Sequence, residues 1–241
     1  MRRIVSLVPS LTELVVWLDR GSELAGRSRF CTEPIGAVER VPIVGGTKNP
    51  KIDRIDALEP TLILANKEEN RREDIEALRA RGHDVVLTDP NSVDEAVAMI
   101  LTIGELLDAQ AKAQTLAEAV ASALKPAPEA SVRTFVPIWK DPWMALGSAT
   151  YGHDLLTRCG ASNVFADHAR YPETTLDAVA SRRPELILMP DEPYPFKGRD
   201  AEALTAIAPA RVIDGKLLWW YGPRMPEAIH SLRTLFAEVR R

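Results

Sequence analysis

Four of the chain's five tryptophans, Trp139, Trp143, Trp219 and Trp220, crowd into its second half beside other aromatic residues and prolines. The stretches read Trp139-Lys140-Asp141-Pro142-Trp143, Asp191-Glu192-Pro193-Tyr194-Pro195-Phe196 and Trp219-Trp220-Tyr221-Gly222-Pro223-Arg224. Large rings held by prolines make rigid apolar surface with a polar edge, which suits non-covalent capture of a broad ligand. Five cations fall in loop-like segments: Arg29 (beside Phe30), Lys48, Lys67, Lys140 and Arg224. Each can meet a carboxylate or a phosphate, and Arg224, inside an aromatic run, can also stack. Singly, such a ring more often caps a core and such a cation is more often solvated. The set together argues for a ligand surface.

Covalent and metal chemistry have less to stand on. No GxSxG elbow, P-loop, GxGxxG or HExxH occurs. Cys31 with a histidine would be a candidate thiolate pair, but none of His83, His153, His168 and His230 is marked as its partner, and packing is the simpler role for Cys31. The histidines share no spacing, so neither a preformed metal site nor a resident cofactor is expected. His153 and His168 as axial haem ligands stay open as a minor reading. Gly147-Ser148-Ala149-Thr150-Tyr151-Gly152 precedes a helix and reads as an anion-binding turn or as a plain one. Two free thiols are the simpler reading of Cys31 and Cys159, with one long-range bridge as the alternative.

The formal charge of −4 offers no basic excess for nucleic acid. No stretch is apolar for long enough to cross a bilayer. The opening Met-Arg-Arg followed by an apolar run looks like an export leader, but Ser6, Pro9, Ser10, Thr12 and Glu13 interrupt it, so it reads as a first strand. Either a leader has been removed or export does not use that route.

The elements that would position these residues alternate. Strands are expected at 4–8, 23–27, 41–44, 62–65 and 85–88. Helices are expected at 10–18, with Ser10 and Glu13 as a capping box, at 49–58, with Asn49 as N-cap and Pro50 next, and at 71–81, closed by Gly82. This alternation implies a parallel sheet covered on both faces. Residues 92–124 hold no proline and are rich in good helix formers, with Ser92 and Glu95 as another capping box. They read as a single strut of about 50 Å, with two helices kinked near Gly104 as the lesser alternative. Beyond Pro126 and Pro128 strands are expected at 134–138, 186–189 and 212–213, and helices at 152–159, 176–181 and 226–239.

Residues 52–65 align without gaps on 176–189: Asp53 on Asp177, Pro60 on Pro184 and Leu62-Ile63-Leu64 on Leu186-Ile187-Leu188, always 124 apart (177 − 53 = 184 − 60 = 124). A unit repeated on each side of the strut implies two similar lobes, the first over 1–90, the strut over 91–125 and the second over 126–241. In open α/β sheets ligands sit outside the carboxyl ends of strands, so a cleft between the lobes, lined by those loops, is the expected site. Asp53 and Asp177 sit near the starts of matched helices, where they either offset the helix dipole or form an exposed pair that docks on a basic partner.

Five stretches (3–14, 41–70, the helical segment after Asp89-Pro90, 158–165 and 171–189) resemble, in order and over nearly the whole chain, the helical-backbone solute-binding proteins of ABC transporters, known for vitamin B12, haem and ferric siderophores. The likeness is strongest to the B12 branch. It implies an α/β fold of two Rossmann-like lobes joined by one long helix, a monomer without catalytic residues or cofactor, and a ligand that is a corrinoid or another metal chelate. It implies docking on an ABC permease through Asp53 and Asp177, where the family usually has glutamate, and a periplasmic or cell-surface location. It also turns Tyr171 and the run Trp219-Trp220-Tyr221 with Arg224 toward the ligand. In the first lobe, Gly45-Gly46-Thr47-Lys48 replaces the family's aromatic wall. Two other readings remain: a cytosolic binding or regulatory protein on the same fold, and an enzyme using Cys31.

Overall fold

The computed structural model describes residues 2–128 and 130–240. It resolves into two compact units, each discontinuous in sequence. The first holds residues 1–89, 97–117 and 221–223, and the second 90–96, 118–220 and 224–241.

The first unit runs β1 (Ile4–Ser6), α1 (Pro9–Trp17), a 3-10 turn (Gly21–Glu23), β2 (Leu24–Arg27), α2 (Ile52–Asp56), β3 (Leu62–Asn66), α3 (Arg72–Ala80) and β4 (Val85–Thr88). The strands pair in the order β2-β1-β3-β4, all parallel. Every residue of β1 and β3 is buried, as expected of central strands covered on both faces. The expected strand at 41–44 is only a bridge between Arg27 and Ile43.

Two expected caps are corrected. α1 begins at Pro9, with Val8 as N-cap and no side-chain cap bond, so Ser10 lies inside the helix and no box with Glu13 forms. Pro9 lacks an N–H and holds a helical φ, which moves the start ahead of the serine. α2 is capped by Lys51, not Asn49, because Pro50 bridges to Gly45 and the Lys51 N–H donates to the Val44 carbonyl at 2.6 Å. That tight loop holds Gly45 at φ 122°, and a Cβ there would meet the Asn49 carbonyl at 2.7 Å.

The single strut is corrected as well. The segment forms two helices, α4 (Val93–Leu106) and α5 (Gln110–Ala123), separated at Asp108, whose φ is 51°. Residues nine apart in one helix lie about 13 Å apart, yet a Cβ on Gly104 would come within 2.3 Å of the Ala113 Cβ, so the chain turns sharply. Arg20 stabilises the break by donating to the carbonyls of Leu107 (2.7 Å) and Asp108 (2.6 Å), the end of α4 where a cation is favoured. At the other end of α4 the expected box half-forms: the Ser92 hydroxyl accepts the Glu95 N–H, while the Glu95 carboxylate takes the N–H of Asn91.

The second unit adds β5 (Val132–Phe135), β6 (Pro137–Trp139), β7 (Trp143–Ala145), α6 (Tyr151–Cys159), β8 (Ala161–Asn163), β9 (Glu173–Thr174), α7 (Leu176–Ser181), β10 (Leu186–Pro190), α8 (Arg199–Thr205), β11 (Ala210–Ile213), α9 (Lys216–Trp219) and α10 (Met225–Val239). Its parallel sheet has the order β8-β5-β10-β11, which in chain order is second-first-third-fourth, the same as in the first unit. The repeat holds to the residue: β3 at 62–66 plus 124 gives β10 at 186–190. The expected strand at 134–138 divides at Val136 into β5 and β6, and β6 joins β7 and β9 in a small antiparallel sheet with no counterpart in the first unit. Phe135, Phe165, Ile187, Met189, Phe196 and Leu204 build the core under the carboxyl ends of β5 and β10.

Candidate ligand-binding site

In the first unit the long segment after β2 is sewn to itself and to the loop after β3, which makes one rim. The Arg29 N–H donates to the Gly45 carbonyl (2.7 Å), the Asn70 amide donates to the Thr47 carbonyl (2.9 Å), and the Lys48 ammonium donates to the Glu68 carbonyl (2.5 Å). Asn66, at the end of β3, donates its side-chain amide to Thr88 and its backbone N–H to the Asn70 side-chain oxygen, which fixes the loop between them. Arg29, Phe30, Lys48 and Lys67 are all exposed on this rim, and Phe30 is 56% exposed. Lys67 is paired with Asp89 at 2.5 Å, so its charge is shared. Among acidic groups, Glu69 is held above the usual carboxylate range by burial.

In the second unit the loops after β5 and β10 meet in a ladder of rings. Trp139 sets its face against the edge of Tyr194 or the reverse (centroids 5.2 Å, planes 70° apart), Tyr194 touches Phe196 (4.8 Å), and Phe196 stacks on Trp143 (5.9 Å, planes 3° apart). Lys140 lies 6.0 Å over Trp143 and pairs with Asp200, which also accepts the Tyr194 hydroxyl at 3.3 Å. Phe196 belongs to the core and Trp143 and Tyr194 pack against it, whereas Trp139 stands 43% exposed at the end of the ladder. Asp200 escaped the sequence reading; its one signal is an acidic residue two positions after Gly198, in the first turn of a helix that the periodicity did not show.

The other aromatic run is anchored by Glu192. Its carbonyl accepts the Trp219 indole N–H (2.9 Å) and its carboxylate accepts that of Trp220 (3.1 Å). Gly215 is required beneath, since a Cβ there would meet Glu192 at 2.5 Å. Burial pushes the Glu192 carboxyl above its ordinary pKa. Trp220 is 9% exposed, with Arg224 5.1 Å and Lys216 5.3 Å from its ring centre. Tyr221 is buried and belongs with Gly222 and Pro223 to the first unit, where Gly222 packs near Ser10 and Leu14. Tyr171 is half-buried with the Arg170 guanidinium 5.4 Å over its ring.

The remaining candidates separate clearly. Asp53 is exposed and paired with Arg81 (2.8 Å), which also holds Asp56; Asp177 is exposed in the first turn of α7. Cys31 is fully buried beside the Ser28 hydroxyl (3.1 Å), and burial raises its thiol pKa, the reverse of what a nucleophile needs. Cys159 is also a buried free thiol, pushed up to about 12. The Nδ1 of His153 contacts the Asn163 amide at 3.0 Å, and that of His168 lies 2.9 Å from Asp167. The 147–152 segment is a plain capped turn: the N–H groups of Gly147 and Ser148 donate to the carbonyls of Arg170 and His168, and Thr150 caps α6. Among the described residues no group of three or more His, Cys, Asp or Glu is placed to hold a metal ion, and no helix is long and apolar enough to cross a membrane.

Two parallel sheets of identical order, each with its chemistry at the strand ends, invite comparison with known proteins. The family model described as "Periplasmic binding protein" matches residues 4–207. The chain belongs to this family. Among curated relatives, the vitamin B12-binding protein of Yersinia pestis (strain Pestoides F) is 26% identical over 193 residues, covering 78% of this chain and 69% of its own. Among solved structures, the periplasmic haem-binding protein of Roseiflexus sp. RS-1 in apo form superposes with a TM-score of 0.85 at 21% identity, covering 100% of this chain and 99% of that one. The periplasmic vitamin B12-binding protein of Vibrio cholerae gives 0.80 at 21% identity, covering 100% and 98%. At such identity these structures establish the fold, and the sequence expectation of a binding-protein family with two α/β lobes holds.

Proposed function

We propose that this chain is the substrate-binding subunit of an ABC importer that captures a corrinoid or another metal chelate, such as haem or a ferric siderophore, and delivers it to a membrane permease. The observation that carries the reading is Trp139: a large ring left open to solvent at the carboxyl end of a sheet, standing on aromatic residues rooted in the core, in a member of a binding-protein family. Rigid rings placed before the ligand arrives lose little entropy on binding. The named relatives support the ligand class, since they bind vitamin B12 and haem. The ligand-facing set is Arg29, Phe30, Lys48, Lys67, Trp139, Trp143, Tyr171, Tyr194, Trp219, Trp220, Tyr221 and Arg224, with Asp53 and Asp177 as the permease-docking pair. The protein acts as a monomer in the periplasm or at the cell surface, and performs no covalent chemistry.

Titrating intrinsic tryptophan fluorescence with cobalamin, hemin and a ferric siderophore, corrected for absorption by the ligand, tests this. Saturable quenching at one ligand per chain by one of the three is expected. Absence of saturation by all three would remove the chelate assignment and leave the fold and family untouched.

A further inference from the structure

Trp139 does not hold its own position. It closes the three-residue strand β6, lies outside the core cluster, and makes one ring contact, with Tyr194. Its indole N–H has no partner among the described residues, whereas those of Trp219 and Trp220 are both spent on Glu192. The ring therefore has an open face and an open donor, and what fixes its attitude is the tyrosine behind it.

Tyr194 in turn is held at both ends. Its ring rests on Phe196 at 4.8 Å, and its hydroxyl donates to one carboxylate oxygen of Asp200, whose other oxygen is taken by Lys140. Lys140 follows Trp139 directly and lies over Trp143, so the same carboxylate ties the β6 end to the loop after β10. The Asp200 side chain is only 14% exposed, which limits screening of the node by water.

We infer that Asp200 is a positioning residue which, through Tyr194 and Lys140, presets the Trp139 indole as a stacking plate for a flat conjugated ring bearing a hydrogen-bond acceptor at its rim. The assignment rests on the ligand-binding reading above and sharpens it: a flat macrocycle gains from a fixed plate, while a compact, non-planar hydroxamate chelate does not. Lys140 holds the Asp200 carboxylate below its usual pKa and is itself raised, so the node stays ionised through the neutral range.

The test has two arms. In the ligand-free protein, 15N relaxation of the indole N–H groups compares the wild type with Asp200→Ala and with Tyr194→Phe, which keeps the ring in the core and removes only the hydroxyl. Expected is a Trp139 order parameter near about 0.8 in the wild type and below about 0.6 in Asp200→Ala, with Tyr194→Phe between. Trp17, in α1 of the other unit, should not move. In the second arm, hemin affinity should fall about three- to tenfold in Asp200→Ala, and ferrioxamine B affinity should stay the same. Unchanged Trp139 order in both variants overturns the inference, as does a loose indole with undiminished hemin affinity or an equal loss for both probes. If the wild type binds neither probe, cobalamin takes the place of hemin in the second arm; if it binds none of the three, the ligand reading fails, and the relaxation arm still decides whether Asp200 sets the indole.

Discussion

The two units share one scaffold and differ in what they hang on it. Both sheets run second-first-third-fourth with every strand parallel, and the β3 and β10 strands match at a constant offset of 124. In the first unit the long segment after β2, residues 28–51, is sewn by amide and backbone bonds to itself (Arg29 to Gly45) and to the loop after β3 (Asn70 to Thr47, Lys48 to Glu68). In the second, the chain after β5 makes an added antiparallel sheet, whose Trp139 and Trp143 join Tyr194 and Phe196 from the loop after β10 in a ladder of rings that starts in the core and ends in solvent at Trp139. A repeated sheet is constrained by packing, whereas its strand-end loops are free to diverge, so recognition is expected to divide unequally between the units.

The sharpest way to break that comparison is at its exposed rings. Trp139→Ala is expected to weaken binding of the quenching ligand by about thirtyfold or more, the scale of a buried interface anchor, and Phe30→Ala in the first unit by only a few-fold. Equal losses in fluorescence titrations of the two variants would overturn the asymmetry. A stability test comes next, at the turn that belongs to the first unit alone. Gly104→Val drives a side chain into Ala113 and should cost about 1–3 kcal/mol in urea denaturation. A variant as stable as the wild type would mean that the close approach is not required.

Smaller effects should follow from two acids that behave alike in both units. Burial raises the pKa of Glu69 and of Glu192 in the folded state. The folded protein therefore binds these protons more readily than the unfolded chain, so each group subtracts stability above its raised pKa and ceases to as pH falls through it. Glu192→Gln and Glu69→Gln should flatten the stability profile on its weakly acidic side, with a modest gain at neutral pH. Steeper profiles in thermal melts would contradict the sign. The smallest change is expected at Arg81, whose pairs with Asp53 and Asp56 are solvent-exposed. Arg81→Ala should shift the melting midpoint by less than about 2 °C while leaving Asp53 as uncovered as Asp177; a larger shift would show the clamp to be structural.

Much of the scaffold was legible because buried parallel strands are nearly continuous apolar runs. Leu62-Ile63-Leu64-Ala65 and Leu186-Ile187-Leu188-Met189 can be read no other way, and they carried the duplication with them. The break at Asp108 was hidden by its composition. Leu106, Leu107, Ala109, Gln110 and Ala111 are all good helix formers, and the turn depends on Arg20, far away in sequence, reaching the freed carbonyls. A faint trace existed in the apolar spacing, which skips from Leu107 to Leu116. The strands β6, β7 and β9 span two or three residues each, too few for alternation to show. At the site, residue type was readable and burial was not: Trp139 and Trp143 flank one turn, yet Trp139 stands largely exposed and Trp143 is half-buried, because Phe196, arriving from the loop after β10, stacks on Trp143.

The discontinuity of the units bears on how this protein can be inherited and rebuilt. Residues 97–117 and 221–223 return to the first unit after the chain has already entered the second. No single cut in the gene yields either unit whole, so despite its duplicated sheets the molecule does not come apart into two cassettes. An exchange of lobes with a relative would have to carry three separate segments together, and a truncation at residue 90 would strip the first unit of the helices around Gly104 along with the Tyr221–Pro223 stitch.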